Sequence, residues 1–150
     1  MKHFKKTTDK HLGELLVERG VINLEELEMA LNYQKEKGGL LGEVLVGLQF
    51  AGEEDIAQAL TCQYGFPYLP LSNYEIEADV IGTVPESVCR QFCLIPIDKI
   101  GKSLTMAMAD PLNVQAIEDV ELLTGCSVQS FVSTPTDIKN SINKYYHPAA

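Results

Sequence analysis

Two side-chain amides, Gln34 and Gln63, offer the most specific chemistry in this chain. Each lies seven residues after an aliphatic residue, Leu27 or Ile56, and so closes an apolar helical stripe. A planar amide carries donors and an acceptor side by side and can read the edge of a nucleobase. A Gln in a last helical turn can equally be half-exposed and serve no ligand. Two Leu-Gly pairs, Leu12-Gly13 and Leu41-Gly42, stand at matching places. Glycine near a helix start lets another group approach free backbone N–H donors. It also permits close helix–helix contact, and the sequence alone leaves both roles open.

Other reactive residues point to less. Cys62, Cys89, Cys93 and Cys126 form no C-x-x-C pair, and no histidine stands at zinc-site spacing, so the thiols read as free and no metal site is expected. Free thiols fit a reducing, cytoplasmic compartment. Gly101-Lys102-Ser103 lacks the glycine that a phosphate loop needs five positions earlier, where Pro96 stands. No Ser or Cys sits in a nucleophile-elbow pattern, and the runs Glu25-Glu26 and Glu53-Glu54-Asp55 fall at helix starts, where they favour the macrodipole. No catalytic group is assembled, so the expectation is a binding module rather than an enzyme. A net charge of -9, with only 12 Lys and Arg, argues against DNA or RNA polymers, whose phosphates demand clustered cations. No apolar run is long enough to span a bilayer.

The elements that must carry these residues are duplicated. His11–Gln34 and Leu40–Gln63 align over 24 residues at an offset of 29. Identical pairs include Leu12/Leu41, Gly13/Gly42, Glu14/Glu43, Leu16/Leu45, Ala30/Ala59, Leu31/Leu60 and Gln34/Gln63. Each unit reads as helix, turn, helix. Gly20 ends the first helix in a left-handed conformation, and Asn23 with Glu26 forms a capping box for the second. In the second unit Gly52 is the cap. Gln49 stands where Gly20 stood, so that turn is expected to close differently, with Gly47 as the available glycine.

Residues 1–10 are expected to be a loose polar tail, 11–63 the duplicated helical unit, 64–74 a linker marked by Gly65, Pro67 and Pro70, and 75–150 a small α/β lobe. The lobe reads as helices over Glu75–Gly82 and Pro85–Phe92, strands over Leu94–Ile100 and Ser103–Ala109, and a helix capped at Asp110-Pro111. A third strand, Ser127–Ser133, and a helix opened by Thr134-Pro135 follow. The fold class is α+β: two helix-turn-helix units followed by a three-stranded α/β lobe.

The paired motif resembles the N-terminal domain of type II secretion and type IV pilus assembly ATPases, whose pattern opens with Arg-Leu-Gly and closes on Gln. The segment PESVCRQFCLIPIDKIGKSLTMAMADPLNVQAIEDVELLTG is similar to the second part of the same domain, so the resemblance runs from about residue 11 to residue 146. It implies a cytoplasmic regulatory or docking domain, recruited to the inner membrane through a platform protein or bound to the hexameric motor ATPase. The family's motor domain has no counterpart here. In members that bind cyclic di-GMP, each motif holds half of the ligand. The resemblance therefore also implies, as the alternative function, a cyclic di-GMP receptor with contacts at His11, Leu12, Gly13, Leu27, Leu31 and Gln34, and at Leu40, Leu41, Gly42, Ile56, Leu60 and Gln63. His11 and Leu40 occupy the places of the family's opening Arg. No other cofactor is implied.

Overall fold

The computed structural model describes residues 7–146; the side chains of residues 7–11 and of Gln63 lie outside the described residues. The chain divides into two compact units, one ending at Gly65 and the other beginning at Phe66. Each has its own core.

Among its described residues the first unit has four helices: α1 (Thr7–Glu18), α2 (Leu24–Lys37), α3 (Leu41–Gly47) and α4 (Glu53–Tyr64). Thr7–Lys10, expected as part of a tail, are helical; residues 1–6 lie outside the described residues. Asn23 caps α2 as expected. Its Oδ1 accepts from the Glu26 N–H at 2.8 Å, and Glu26 Oε1 accepts from the Asn23 N–H at 3.0 Å. At Gly52 only half of that box exists, because glycine has no side chain: Asp55 Oδ2 accepts from the Gly52 N–H at 3.0 Å.

The two inter-helix turns close alike, which corrects the sequence expectation. Gly20 and Gln49 both lie in the left-handed region, at φ 76° and 64°. The N–H of Gly20 donates to Val17 O and that of Val21 to Leu16 O, while Gln49 donates to Val46 O and Phe50 to Leu45 O. Gly47 is the last residue of α3 and is not the turn residue. Two pairs of equivalent hydrogen bonds fix the turn strongly enough to hold a non-glycine residue there.

Packing of the four helices follows a pseudo-two-fold. α1 packs chiefly on α4, α3 chiefly on α2, and α1 meets α3 between them. Exchanging the repeats (α1 with α3, α2 with α4) leaves this pattern unchanged, as a two-fold axis requires and a simple tandem stack does not. Leu12, Leu16, Leu27, Ala30, Leu41, Leu45 and Ala59 fill the shared core.

The second unit is built on a three-stranded sheet, β1 (Leu94–Ile100), β2 (Ser103–Met108) and β3 (Ser127–Val132), in that order. β1 and β2 form an antiparallel hairpin from Leu94↔Met108 to Ile100↔Ser103, with a bulge between Pro96 and Asp98. Gly101 takes φ 60° in its tight turn. β3 is parallel to β2 and is reached through α7 (Val114–Thr124). α5 (Ala78–Ile81), α6 (Glu86–Phe92) and α8 (Pro135–Tyr146) complete the unit. The helix expected from Asp110 begins later. Asp110 Oδ1 accepts from the Leu112 N–H at 3.2 Å and closes a turn of its own, and Asn113 Oδ1 caps α7 through the Ala116 N–H at 3.2 Å. Likewise only Ala78–Ile81 of the expected Glu75–Gly82 helix forms; upstream of it the Ile76 N–H donates to the Tyr145 hydroxyl at 3.1 Å.

The segment read as a linker is a packed part of this unit. Tyr64 belongs to α4, and Gly65 caps it with φ 79°. Beyond it the Leu69 N–H donates to Val132 O, the Val132 N–H donates to Pro67 O, and Ser133 Oγ donates to Leu69 O. Leu71 is buried in the core with Ile76, Val80 and Ile138. The prolines that suggested a linker suit a short edge pairing, since they need no ladder partner for a missing N–H. The other end of β3 is closed by Glu121, whose Oε2 accepts from the Val128 N–H at 2.9 Å.

Candidate functional site

The residues singled out by the repeat fall into three groups. Leu12, Leu27, Leu41 and Leu60 are buried. Leu12, Leu27 and Leu41 belong to the core of the helical unit, and none of the four presents its side chain to a surface ligand. Leu31 and Ile56 are half-buried against that core. Leu40, the N-cap of α3, is 41% exposed. The side chains of His11 and Gln63 lie outside the described residues.

Both glycines serve close packing. A Cβ on Gly13 would stand 2.5 Å from Leu27 Cδ1 and 3.3 Å from Leu41 Cδ2. A Cβ on Gly42 would stand 3.0 Å from Ile56 Cγ2. Leu27 and Ile56 are equivalent in the repeat, so the same helix crossing is made twice. Gly13 also lies well inside α1, because that helix begins at Thr7, and its N–H is not a free donor of a first turn.

Gln34 is half-buried, and its Nε2 donates to Gly39 O at 3.0 Å while its backbone carbonyl accepts from the Gly38 N–H at 2.8 Å. The side-chain amide thus braces the loop that carries the chain into α3 and sets Gln34 beside Gly39 and the start of α3 at one corner of the unit. In the chain the repeat's equivalents of Gln34 and Leu40 are Gln63 and His11, whose side chains lie outside the described residues. This corner takes one part from each repeat, an arrangement that sequence alignment of the repeats does not reveal.

A shallow open depression of about 500 Å³ lies elsewhere, lined by Val21, Val46, Gln49, Phe50, Ala51, Gly52 and Asp55. None of the repeat's candidate residues lines it. Sequence reasoning missed it, and the signal available was the pairing of Val21 with Phe50 at equivalent turn positions.

Among the described residues the clearly perturbed titratable groups, Cys89 and Tyr146, lie in the second unit and tie its helices together. Tyr146 donates its hydroxyl proton to the carbonyls of Val84 at 2.6 Å and Ile81 at 3.0 Å, and the Cys89 thiol lies 3.3 Å from the same oxygen. With that proton engaged, the thiol is the donor to the tyrosine oxygen. Burial pushes the Cys89 thiol up to about 11, and burial followed by the Cys89 contact raises Tyr146 well above the ordinary phenol range. Both stay protonated at neutral pH and act as struts. Among the described residues no group of three His, Cys, Asp or Glu side chains is placed to hold a metal ion. No helix among them is long and apolar enough to cross a membrane.

Residues 64–150 match the MshEN domain family. The type IV pilus assembly ATPase PilB of Myxococcus xanthus is 34% identical over 135 residues, which is 90% of this chain and 24% of that protein. The chain thus spans about a quarter of the length of that relative. Among solved structures, MshE with cyclic di-GMP superposes with a TM-score of 0.77 at 30% identity, covering 90% of this chain and 98% of that one. The N-terminal domain of XpsE superposes with a TM-score of 0.77 at 25% identity, covering 97% and 99%.

Proposed function

Because the chain belongs to the MshEN domain family, the N-terminal domain of type IV pilus and type II secretion ATPases, we propose that it is a non-catalytic docking domain of such a system. It acts at the cytoplasmic face and binds an inner-membrane platform protein or the motor ATPase. The observation that carries this reading is how the repeat is used. Its leucines and glycines interlock two helix-turn-helix units into one rigid body, which leaves the outward faces of those helices for a partner. The test is a binding titration of the purified chain against the cytoplasmic part of the platform protein and against the motor. Saturable binding to one of them is expected; absence of binding to both rejects the docking reading.

A second reading is a cyclic di-GMP receptor. It is favoured by the pseudo-two-fold of the helical unit, since the ligand's two equivalent guanylate halves match two equivalent corners, and by the likeness to MshE with cyclic di-GMP. Leu31, Gln34, Leu40 and Ile56 would meet the ligand, with His11 and Gln63 at the other corner. Leu12, Gly13, Leu27, Leu41, Gly42 and Leu60 would hold those groups in place from the core. Isothermal titration with cyclic di-GMP decides it. Low-micromolar affinity lost in Gln63→Ala would support a receptor. Silence up to about a millimolar, worth roughly 4 kcal/mol, would remove it. Gln34→Ala is a weaker probe, because it also frees Gly39 O.

A further inference from the structure

The inner face of α2, with Leu27, Ala30, Leu31 and Gln34, packs into the helical unit. Its opposite face carries a stripe at helical spacing: Glu25, Met29, Tyr33 and Glu36. Met29 is 57% exposed and Tyr33 45%, and the two glutamates at the ends of the stripe are exposed as well. Met29 and Tyr33 stand one turn apart, so their side chains form one apolar ridge with a carboxylate at each end. The cations of α2 lie off this ridge. Lys35 is on the flank shared with Leu24 and Leu31, and Lys37 is the last residue of the helix. Glu26, beside the ridge, is committed to the Asn23 N–H.

The geometry points to the outer face of α2 as the docking surface for a cationic amphipathic helix of a partner protein, its apolar side on Met29 and Tyr33 and its basic side chains on Glu25 and Glu36. Charge selects this occupant. A second copy of the chain, packed antiparallel on the same face, would set Glu25 against Glu36 of its neighbour. An anionic lipid surface would meet the same two carboxylates. The net charge of -9 adds a long-range field of the same sign that speeds encounter with a basic partner. A polarisable Met beside a Tyr suits a ridge that adapts to a helical partner. The inference rests on the docking reading above and names the surface and the chemistry of its partner.

The probe is a synthetic leucine–lysine peptide of about five helical turns, with its leucine–glutamate counterpart as control, titrated into the isotope-labelled full chain. Amide shifts should concentrate at Glu25, Met29, Tyr33 and Glu36, and the glutamate peptide should not bind. The double variant Met29→Ser/Tyr33→Ser should weaken binding about tenfold. The variant Glu25→Gln/Glu36→Gln should weaken it and flatten its dependence on salt. All four positions are exposed, and circular dichroism checks that each variant keeps its fold. Shifts centred elsewhere, equal affinity of the double variants, or equal binding of the glutamate peptide would each overturn the inference. If the wild type binds the platform protein or motor and Met29→Ser/Tyr33→Ser binds it equally, the surface is wrong and the docking reading stands. If the wild type binds neither, the docking reading falls, and the peptide mapping alone decides the surface.

Discussion

Gln49 departs from its local backbone preference. A left-handed conformation costs a non-glycine residue on the order of 1–2 kcal/mol, and Gln49 adopts it at φ 64° where the other repeat has Gly20 at φ 76°. Replacing Gln49 with glycine relieves that strain but adds chain entropy to the unfolded state, worth roughly 0.5–1 kcal/mol. Gln49→Gly is therefore expected to stabilise the chain by up to about 1 kcal/mol in urea denaturation, and Gly20→Ala to destabilise it by about as much. Loss of stability in Gln49→Gly would mean that the side chain contributes more than the backbone costs. Cys89 and Tyr146 make a second prediction at this scale. Both have folded-state values raised by burial, so the protonated forms stabilise the fold fully below the unfolded thiol value of 9.0. As pH rises from there towards about 11, the unfolded chain releases the Cys89 proton first and stability falls, by at most about 1.4 kcal/mol per pH unit for that group. Cys89→Ser, which keeps a donor beside the tyrosine oxygen without titrating in this range, should show a shallower loss between pH 9 and 11. An unchanged slope would show that the thiol does not titrate with unfolding.

The crossing of α1 with α2 and α3, and of α3 with α4, depends on side chains that are absent. Gly13→Ala gains roughly 1 kcal/mol of helix propensity but forces a Cβ to 2.5 Å from Leu27 Cδ1 and 3.3 Å from Leu41 Cδ2, both in a filled core. Overpacking of that kind costs about 1–3 kcal/mol, so a net loss of up to about 2 kcal/mol is expected. Gly42→Ala meets Ile56 Cγ2 at 3.0 Å, a milder approach, and should fall within about 1 kcal/mol of wild type. Paired urea melts test the ranking, and equal costs would show that the two crossings are not distinguished by contact distance. Several helix ends were legible in the sequence: Asn23, Gly52 and Thr134 mark ends where the structure has them. The hairpin and the third strand were legible too, to within a residue. The start of α1 was not, because Thr7–Lys10 have no apolar periodicity of their own. Nor was the exchange of partners between repeats, which is set by tertiary packing and leaves no mark on either repeat alone. The 64–74 segment misled for a related reason. Its partners, Val132 and Tyr145, are far along the chain, and its prolines look the same in an edge pairing as in a linker.

Two separate apolar cores imply two units that do not depend equally on being joined. The second unit holds a sheet whose β3 edge is covered at both ends, helices tied by Tyr146, a Tyr74–Ile76 segment held by Tyr145, and a buried cluster running from Leu71 to Ile142. The first is made of short helices. α3 has 7 residues, too few to persist alone in water, so its order comes from packing on α1, α2 and α4. Residues 66–150 expressed by themselves are therefore expected to fold cooperatively, with a stability of roughly 4–12 kcal/mol for a chain of that size. The alkaline loss of stability assigned to Cys89 should survive in this fragment, because its thiol, Tyr146, Ile81 and Val84 all lie within it. Chemical denaturation of the fragment at pH 7 and pH 10, followed by circular dichroism, measures both. A fragment without a cooperative transition would show that its core needs the helical unit. A fragment that folds but loses the pH dependence would move the titrating group to the first 65 residues. Persistence of both would establish the α/β unit as the stable base of the molecule, with the repeat-built helical unit free to be specialised by substitutions on its outward faces.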